Sequence, residues 1–432
     1  MEVRTMVLGH FLVVSLALNA GLLYRDYWCN EKHKSQYVFS FNGGGGGGDG
    51  NNVSFPDTNK APLSSKAILS EVIDLDHGDP TMYERYWQQM NDRTTVVIPG
   101  WKFISYFSDK KNLCWFLEPE FADAVIRLHK LVGNAVTDNR YIVVGTGSTQ
   151  LFQAVLYAVT QTDASEPISV VSAAPFYSSY PLITDFLKSG LYKWGGNAHK
   201  FKKDNKPYIE LVTSPNNPDG SSRQAVVGQD QGILIHDLAY YWPQYTPISS
   251  PPADHDIMLF TVSKSTGHAG TRLGWALVKD QEIAKRMTEF IVLSTIGVSK
   301  ESQFRAAKII QVLSDSHKNK GRSEEREEAF FDHTYDLMAK RWKQLRDAVK
   351  TSKLFSLPEF PQGKCAFSGR TFASQPGLSL GSSAKEKLRT AKAFFAIIRY
   401  LREAANILVI SRNMLGSVFC HATKYSINLR RD

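Results

Sequence analysis

The sequence predicts an α/β fold with a mainly parallel sheet that is covered by helices on both faces. The first observation is a set of short apolar runs typical of buried strands, namely YIVVG (141–145), ISVVSAA (168–174), YIELVT (208–213), GILIHD (232–237) and IMLFTVS (257–263). The second is that helical patterns alternate with these runs, as in βαβ units. The third is that polar clusters follow the runs directly, where open α/β sheets bind their ligands.

Length and composition allow a large core and narrow the class of function. The chain has 432 residues, of which 43% are hydrophobic and 22% charged, as in an ordinary folded protein. Its net charge of +9 is spread along the chain without a dense basic run, which favours a solvated surface over a nucleic-acid site. The four cysteines are far apart and form no CxxC pair, so we predict a reduced compartment and neither a zinc site nor a disulfide scaffold.

An apolar run occupies residues 6–24 and is interrupted only by His10, Ser15 and Asn19. It is long enough to cross a bilayer, so we predict a single-pass signal-anchor helix within residues 1–25, in the endoplasmic reticulum membrane. A cleaved signal peptide is the alternative, although Leu18 and Ala20 do not form the usual pair of small residues at a cleavage site. Basic residues are more numerous after the run than before it, which favours a cytosolic catalytic domain.

Three further segments follow the predicted anchor. Residues 26–66 are polar and contain the glycine run 43–48, a composition that cannot bury enough surface to order itself, so we predict a flexible tether. Residues 67–330 carry the strand and helix patterns of the large domain. Residues 331–432 would form a smaller α+β domain, and the charged amphipathic stretch 324–350 predicts the helix that leads into it.

One polar cluster is typical of an anion-binding site, and a second could bind a heterocyclic ring. Run 141–145 leads into Gly147, Ser148 and Thr149, and then into an apolar helix beginning near Gln150. Exposed N–H groups at the start of such a helix can bind phosphate. Many ordinary strand–helix turns have the same pattern. Run 232–237 ends in Asp237, which would either pair with a protonated ring nitrogen or cap a helix.

Two other clusters offer an amide, an amine and a guanidinium group. In the loop SPNNPDG (214–220), Asn217 is a hydrogen-bond donor held by Pro218, or part of an ordinary turn. Run 257–263 leads into Lys264 among small residues, where its amine would be a nucleophile. Arg272 follows eight residues later and would bind a phosphate bidentately. Either cation, taken alone, is equally typical of a solvated surface.

In chain order, these clusters together resemble the fold type I pyridoxal-phosphate enzymes, which have the aspartate-aminotransferase fold. The sequence is similar, more narrowly, to the plant alliinase-related family, and within it to the tryptophan aminotransferases of auxin synthesis. The segments that carry this resemblance, besides those above, are LDHGDPTMYERYW (75–87), ISYFSD (104–109), APFYSSYP (174–181), HDLAYYWPQYT (236–246) and SKSTGHAGTRLGWALVKD (263–280). The resemblance extends from about Leu75 to Phe372 and implies a three-layer large domain, pyridoxal 5′-phosphate as cofactor, and a homodimer.

The resemblance also implies roles for matching residues. Lys264 would carry the cofactor as a Schiff base and move a proton between the substrate α-carbon and C4′ of the cofactor. Asp237 would keep the pyridine nitrogen protonated. Asn217 and Tyr240 would bind the 3′ oxygen, and Tyr177 would stack on the ring face. Tyr83 would reach the phosphate of a neighbouring subunit. The phosphate of the same subunit would be bound by Ser148, Thr149, Thr261, Ser263 and Arg272.

The C-terminus departs from the pattern of the family. KYSINL (424–429) has no arginine two residues after Tyr425, where the resemblance implies a Tyr-Val-Arg-Ile-Ser strand whose arginine binds the substrate carboxylate. Residues 377–384 can be back-translated into a nucleotide sequence that, when read two nucleotides later, encodes a family-like strand. The same shift applied to residues 398–417 restores the arginine. We therefore predict that residues 377–432 are the C-terminus of the family read in a shifted frame.

The function that these patterns predict is transfer of the amino group of an aromatic amino acid to a 2-oxo acid. Tryptophan would give indole-3-pyruvate, with pyruvate or another 2-oxo acid as acceptor. One alternative is an alliinase-type C–S lyase acting on S-alkyl-cysteine sulfoxides, although the chain has no cysteine-rich module such as garlic-type alliinases carry. A second alternative is a catalytically impaired paralogue that binds the cofactor only, because its tail lacks the carboxylate-binding arginine.

Overall fold

The structure is a computed structural model that describes residues 80–160, 166–202, 206–228, 232–318, 329–352 and 359–373. All of these belong to the second of two compact units into which the chain divides, Val72–Asp432. The predicted anchor, the predicted tether and the predicted frame-shifted tail all lie outside the described residues. Among the residues that are described, no helix has both the length and the apolar composition that a membrane span requires.

A seven-stranded sheet forms the centre of this unit. Its strands are β1 (Tyr141–Gly145), β2 (Ile168–Ser172), β3 (Tyr192–Asn197), β4 (Tyr208–Thr213), β5 (Gly232–Asp237), β6 (Ile257–Thr261) and β7 (Gly274–Val278). They lie in the order β1-β7-β6-β5-β4-β2-β3. Strand β7 pairs antiparallel with β1 and β6, whereas the other neighbours pair in parallel. The predicted fold class, an α/β protein with a mainly parallel sheet, is confirmed.

Helices flank the sheet, and a small hairpin follows them. The helices are α1 (Glu84–Met90), α2 (Pro119–Val132), α3 (Gly147–Val159), α4 (Ser179–Phe186), α5 (Val262–Ser265), α6 (Gln281–Thr295), α7 (Lys300–Lys318) and α8 (Phe330–Ser352). Local sequence explains several of their ends. Helix α2 begins at a proline, and Gly133 ends it in the left-handed conformation. Helix α6 is capped by Asp280, whose side chain accepts from the backbone N–H of Ile283. The hairpin pairs β8 (Gln362–Lys364) with β9 (Thr371–Ala373).

The core lies on both faces of the central strands. Every residue of β4, β6 and β7 is buried, as expected for strands that are covered on both faces. Trp242 and Trp275 are fully buried. Trp242 lies parallel to Phe331 of α8, with ring centroids 6.4 Å apart, and Trp275 donates to His129 of α2 at 3.0 Å. The helices before and after the sheet therefore pack into one core with it.

The structure differs from the sequence prediction in the number and the ends of the strands. Strands β3 and β7 lie outside the predicted runs; β3 is an edge strand that contains two adjacent glycines, and β7 returns antiparallel. The run 257–263 leaves the sheet two residues early, at Thr261. The helix expected near Gln150 begins at Gly147. In these last two cases a helix starts earlier than the apolar pattern indicates, because the first turn of a helix tolerates small and polar residues.

Candidate active site

The register of the sheet collects the predicted polar clusters along one edge. Thr213 pairs with Asp237, and Asp237 pairs with Leu259, two residues before the end of β6. Thr261 and Gly145 both pair with Gly274, the first residue of the antiparallel strand. The loops after β1, β4, β5 and β6 therefore open on the same side of the sheet, as the fold predicts for a ligand site.

Lys264 lies on the one-turn helix α5 and not at the end of a strand. Thr261 starts this helix because its hydroxyl oxygen accepts from the N–H of Ser263 at 3.2 Å and its hydroxyl donates to the carbonyl oxygen of Leu273 at 3.0 Å. The carbonyl oxygen of Lys264 accepts from the amide of Gln244 at 3.2 Å. These hydrogen bonds hold the backbone on both sides of Lys264 and therefore fix the position of its Cα atom.

The amine of Lys264 is available for chemistry. Its Nζ lies 5.3 Å from the ring centroid of Tyr240, and the side chain is half-buried. Within the described part of the chain, no hydrogen bond or ion pair of this amine is found. An amine beside an aromatic face, without a carboxylate attached to it, is suited to react with a carbonyl compound.

Asp237 is the acid of the site. Its Oδ2 accepts from the hydroxyl of Tyr180 at 2.7 Å, and its Oδ1 accepts from the N–H of Ala239 at 3.1 Å. Burial raises the pKa of Asp237, while these two hydrogen bonds and the charge of Lys264 oppose that rise. The chain turns after Asp237 and enters no helix, so the helix-cap alternative does not apply. A protonated ring nitrogen would be a cationic partner for this carboxylate.

The start of α3 and Arg272 lie close together and offer groups that bind an anion. Gly147 has φ +75°, and a Cβ there would lie 2.8 Å from Nη2 of Arg272. A Cβ on Gly274 would lie 2.9 Å from the backbone nitrogen of Ser148. The two glycines thus allow the guanidinium group and strand β7 to lie directly against the start of α3, where N–H groups and the helix dipole favour negative charge. Thr149 is exposed beside them.

The loop that carries Asn217 is held by its neighbours. Asn216 donates to the carbonyl oxygen of Pro175 at 2.9 Å and to Asp219 at 2.8 Å. Arg223 in turn lies 2.7 Å from Asp219. Asn217 itself is half-buried, and no hydrogen bond of its side chain is found among the described residues. Its amide is therefore free to bind a ligand oxygen.

The other predicted residues lie at varying distances from this centre. The ring of Tyr177 is edge-on to that of Tyr180, with centroids 5.4 Å apart. Ser263 is buried, and its hydroxyl oxygen lies 3.1 Å from that of Thr261, within hydrogen-bond distance. Because the Thr261 hydroxyl is bonded to protein groups, Thr261 supports α5. The contact of Thr261 with a phosphate stays a prediction.

Tyr83 lies deep in its own chain. Its hydroxyl donates to that of Tyr245 at 3.1 Å, and its ring lies 5.6 Å from that of Phe330. Gly267, with φ +86°, allows this packing because a Cβ there would lie 2.6 Å from the Tyr83 ring. Burial raises the pKa of Tyr83 above its usual value. The contact of Tyr83 with the phosphate of a neighbouring subunit stays a prediction.

The residues at this edge fit a phosphorylated pyridine aldehyde. The Lys264 amine would bind the aldehyde carbon, Asp237 the ring nitrogen, Asn217 and Tyr240 a ring oxygen, and Arg272 with the N–H groups at the start of α3 the phosphate. The side chains of Lys264 and Asn217, for which the described residues supply no hydrogen-bond partner, support the fit. The functional groups of pyridoxal 5′-phosphate thus each have a complementary group in the chain.

Sequence reasoning missed three residues that support the site. Tyr180 contacts Asp237, and Gln244 and Tyr245 contact the carbonyl oxygen of Lys264. All three lie inside quoted motifs, Tyr180 in APFYSSYP and the other two in HDLAYYWPQYT. Their presence in those motifs was the available signal, but their contacts depend on how the chain folds.

Fold and site together define a pyridoxal-phosphate-binding protein of the α/β class. The sequence profile of the family described as Allinase matches residues 73–400, so the match continues past Phe372, where the resemblance was expected to end. The chain belongs to the alliinase family, which confirms the resemblance, and the cofactor of this family is pyridoxal 5′-phosphate.

Several characterised relatives are similar over most of the chain. Tryptophan aminotransferase-related protein 2 of Arabidopsis thaliana is 59% identical over 346 residues, which cover 80% of this chain and 75% of that protein. Tryptophan aminotransferase-related protein 1 of Oryza sativa subsp. japonica is 54% identical over 325 residues, covering 74% and 72%. Alliin lyase 1 of Allium sativum is 35% identical over 310 residues, covering 70% and 62%.

Two solved aminotransferase structures are similar to this chain in part of their fold. A single mutant of Thermus thermophilus aspartate aminotransferase superimposes with a TM-score of 0.46 at 15% identity, covering 71% of this chain and 75% of that one. An aminotransferase from Staphylococcus aureus superimposes with a TM-score of 0.46 at 14% identity, covering 80% and 97%.

Proposed function

We propose that the chain is a pyridoxal-phosphate-dependent aminotransferase that converts tryptophan to indole-3-pyruvate, with pyruvate or another 2-oxo acid as acceptor. The observation that carries the proposal is the amine of Lys264, which lies beside the ring of Tyr240 and close enough to Asp237 for its charge to act on that carboxyl. The choice of substrate is supported by 59% and 54% identity to tryptophan aminotransferase-related proteins, against 35% to an alliin lyase.

The residues of the site would act in three ways. When bound, the cofactor supplies an electron-withdrawing ring that weakens the α-carbon–hydrogen bond of an amino acid. Asp237 would hold a proton on the ring nitrogen, and the Tyr180 hydroxyl and Ala239 amide would hold that carboxylate in its charged form. Nζ of Lys264 would accept the α-proton and return it. Arg272 and the N–H groups of α3 would hold the phosphate.

Product analysis distinguishes transfer from elimination. The purified protein is incubated with the cofactor, tryptophan and pyruvate, and separately with the cofactor and alliin. We expect indole-3-pyruvate and alanine from the first mixture, and no product with Lys264→Ala. Pyruvate that appears only from alliin would show instead that the chain is a C–S lyase.

The sequence of the tail favours a second candidate, a paralogue that binds the cofactor without completing the reaction. The stretch KYSINL (424–429) lacks the arginine that the family resemblance implies for the substrate carboxylate. A normal visible absorption band of the bound cofactor that does not change on addition of tryptophan would support this candidate. Sequencing independent cDNAs across codons 370–380 tests the shifted frame, because an intact frame in several of them would contradict it.

We further propose that the protein is a homodimer tethered to the membrane through residues 1–25, with the catalytic domain in the cytosol. Exposed apolar side chains close together in the sequence support the dimer: Val97, Trp101, Ile104 and Tyr106 are 68–81% exposed, and contiguous exposed apolar surface marks interaction sites. Light scattering of the full chain in detergent should give twice the monomer mass. Trp101→Ser with Ile104→Ser should lower it, whereas Leu182→Ser, also at an exposed apolar position, should not.

A further inference from the structure

A buried tyrosine connects the acid of the site to a second hydroxyl. Tyr180 on α4 is 3% exposed. Its hydroxyl lies 2.7 Å from Oδ2 of Asp237 and 2.6 Å from Oγ1 of Thr213. Thr213 ends β4 and is the sheet partner of Asp237. The three side chains therefore form a continuous chain of hydrogen bonds across two neighbouring strands.

The number of available protons determines which group donates in each of these hydrogen bonds. An ionised carboxylate only accepts hydrogen bonds, so the single proton of the Tyr180 hydroxyl points to Asp237. The Tyr180 oxygen is then left as an acceptor, and Thr213 must donate to it. If Asp237 took up a proton and donated it to Tyr180, both hydroxyl groups would have to reverse. The hydrogen bonds from Thr213 to Tyr180 and from Tyr180 to Asp237 stabilise the ionised form of Asp237, because hydrogen bonds in series strengthen one another.

The surroundings of Asp237 show why such support matters. Burial raises the pKa of this carboxyl, and the Tyr180 hydrogen bond is the largest contribution that opposes the rise, ahead of the Ala239 amide and the charge of Lys264. Burial and the charge of Asp237 also raise the pKa of Tyr180 well above its usual value, so that Tyr180 keeps its proton; the facing hydroxyl of Tyr177 acts in the same direction.

We propose that Thr213 and Tyr180 form a positioning relay that keeps Asp237 ionised and fixed in orientation, so that Asp237 can hold a proton on the cofactor ring nitrogen. The relay acts through Asp237. The inference rests on the cofactor-binding role of Lys264 and Asp237 in the proposed function, and it adds two residues that the family motifs did not assign. Tyr180 also contacts Tyr177, but that contact belongs to its ring and would survive removal of the hydroxyl.

The variants separate the hydroxyl groups from the packing. Tyr180→Phe keeps the ring, and Thr213→Val keeps the shape of the threonine. Thr213→Ser restores the hydroxyl as a conservative rescue. Tyr192→Phe is the matched control, because Tyr192 is a buried tyrosine whose pKa is also raised by burial but which lies on the edge strand β3.

The measurement is the pH midpoint of the visible absorption band of the protein-bound cofactor, together with cofactor affinity by fluorescence titration. Loss of positive charge on the ring nitrogen makes the Lys264-linked nitrogen more basic, so we expect Tyr180→Phe to raise the midpoint by roughly half a pH unit or more. We also expect it to weaken binding about 5-fold, the effect of one lost hydrogen bond. Thr213→Val should cause a smaller shift in the same direction, and Thr213→Ser and Tyr192→Phe should match the wild type.

Each outcome bears on the relay. A Tyr180→Phe midpoint and affinity equal to those of Tyr192→Phe would overturn it, while the wild-type band would leave the proposed function standing. A wild-type protein without the band would overturn both, and the Lys264→Ala variant provides the spectrum for that case. Circular dichroism shows whether Tyr180→Phe folds. If it does not, the relay is tested by comparing Thr213→Val with Thr213→Ser, and equal pH midpoints for these two variants would reject it.

Discussion

The two ends of the candidate site are built in different ways. At the nitrogen end, Thr213 and Tyr180 are buried and Asp237 is half-buried, and the three side chains are joined by hydrogen bonds of 2.6–2.7 Å. At the phosphate end, formed by Gly147, Ser148 and Arg272, Arg272 is exposed and its guanidinium group lies against a glycine. The nitrogen end is thus held by hydrogen bonds within the protein, whereas the phosphate end offers an exposed charge.

This difference predicts different consequences of substitution. Changes at the nitrogen end should alter the chemistry of the bound cofactor and depend on pH, because they act on a buried ionised group. Changes at the phosphate end should alter affinity and depend on salt, because exposed charges are screened.

The largest effect is expected for Asp237→Asn. Asparagine keeps the shape of the side chain but removes the charge that would hold a proton on the ring nitrogen. We expect the rate of amino transfer to fall ~100-fold or more, as for removal of one electrostatic stabiliser at a reacting centre. The rate is measured with saturating cofactor, and Asp138→Asn, at an exposed position, serves as control. A rate within a few-fold of the wild type would contradict the role of the nitrogen end.

Acidification should destabilise the core in which helix α2 packs against the sheet. Burial lowers the pKa of His129 to about 4 from 6.5, and its neutral ring accepts from Trp275. The unfolded state therefore binds the proton more readily, so stability falls as the pH drops from 6.5 towards 4, by about 3 kcal/mol for this residue. Urea unfolding at several pH values measures the loss. His129→Gln should reduce the dependence on pH, and His199→Gln, at an exposed histidine, should not.

Arg272→Ala tests the phosphate end. We expect cofactor affinity to fall roughly 10- to 30-fold at low salt, which corresponds to loss of a hydrogen bond to a charged group worth about 1.5–2 kcal/mol. The difference from the wild type should shrink as salt is raised. Lys285→Ala removes a comparably exposed cation on α6 and is the control. A loss of affinity that does not change with salt would remove the distinction between the two ends.

The smallest effect is expected for Gly147→Ala. An alanine at φ +75° is strained, and its Cβ would lie 2.8 Å from Nη2 of Arg272, although the guanidinium can move. We expect a loss of about 1 kcal/mol in unfolding free energy and a few-fold weaker binding of the cofactor. Gly100→Ala is the control, because no atom lies within 4 Å of its Cβ position. Equal stability of the two variants would show that the phosphate end does not depend on this glycine.

Much of the site was predictable because its residues follow apolar runs directly. Asp237 ends the run 232–237, and Gly147 and Ser148 follow the run 141–145. In a parallel sheet the carboxyl ends of the strands meet at one edge, so local patterns were enough to place these groups together. Lys264 was found in the same way, although its strand ends at Thr261 and the lysine lies on a helical turn.

The remaining contacts link distant parts of the chain. Tyr180 and Asp237 are 57 positions apart, and Tyr83 and Tyr245 are 162 apart. No periodicity in the sequence indicates which tyrosine will meet which partner, because that depends on the crossing of helices over the sheet.

The sequence alone determined the class of fold, the family and the chemical groups of the site, since alternating apolar runs and the residues after them are local properties of the chain. The tertiary structure decided how those groups are supported. It placed β7 antiparallel between β1 and β6, brought Tyr180 under Asp237 and set Arg272 against the start of α3. These arrangements arise from packing and hydrogen bonding between segments far apart in sequence, which are satisfied only when the core forms.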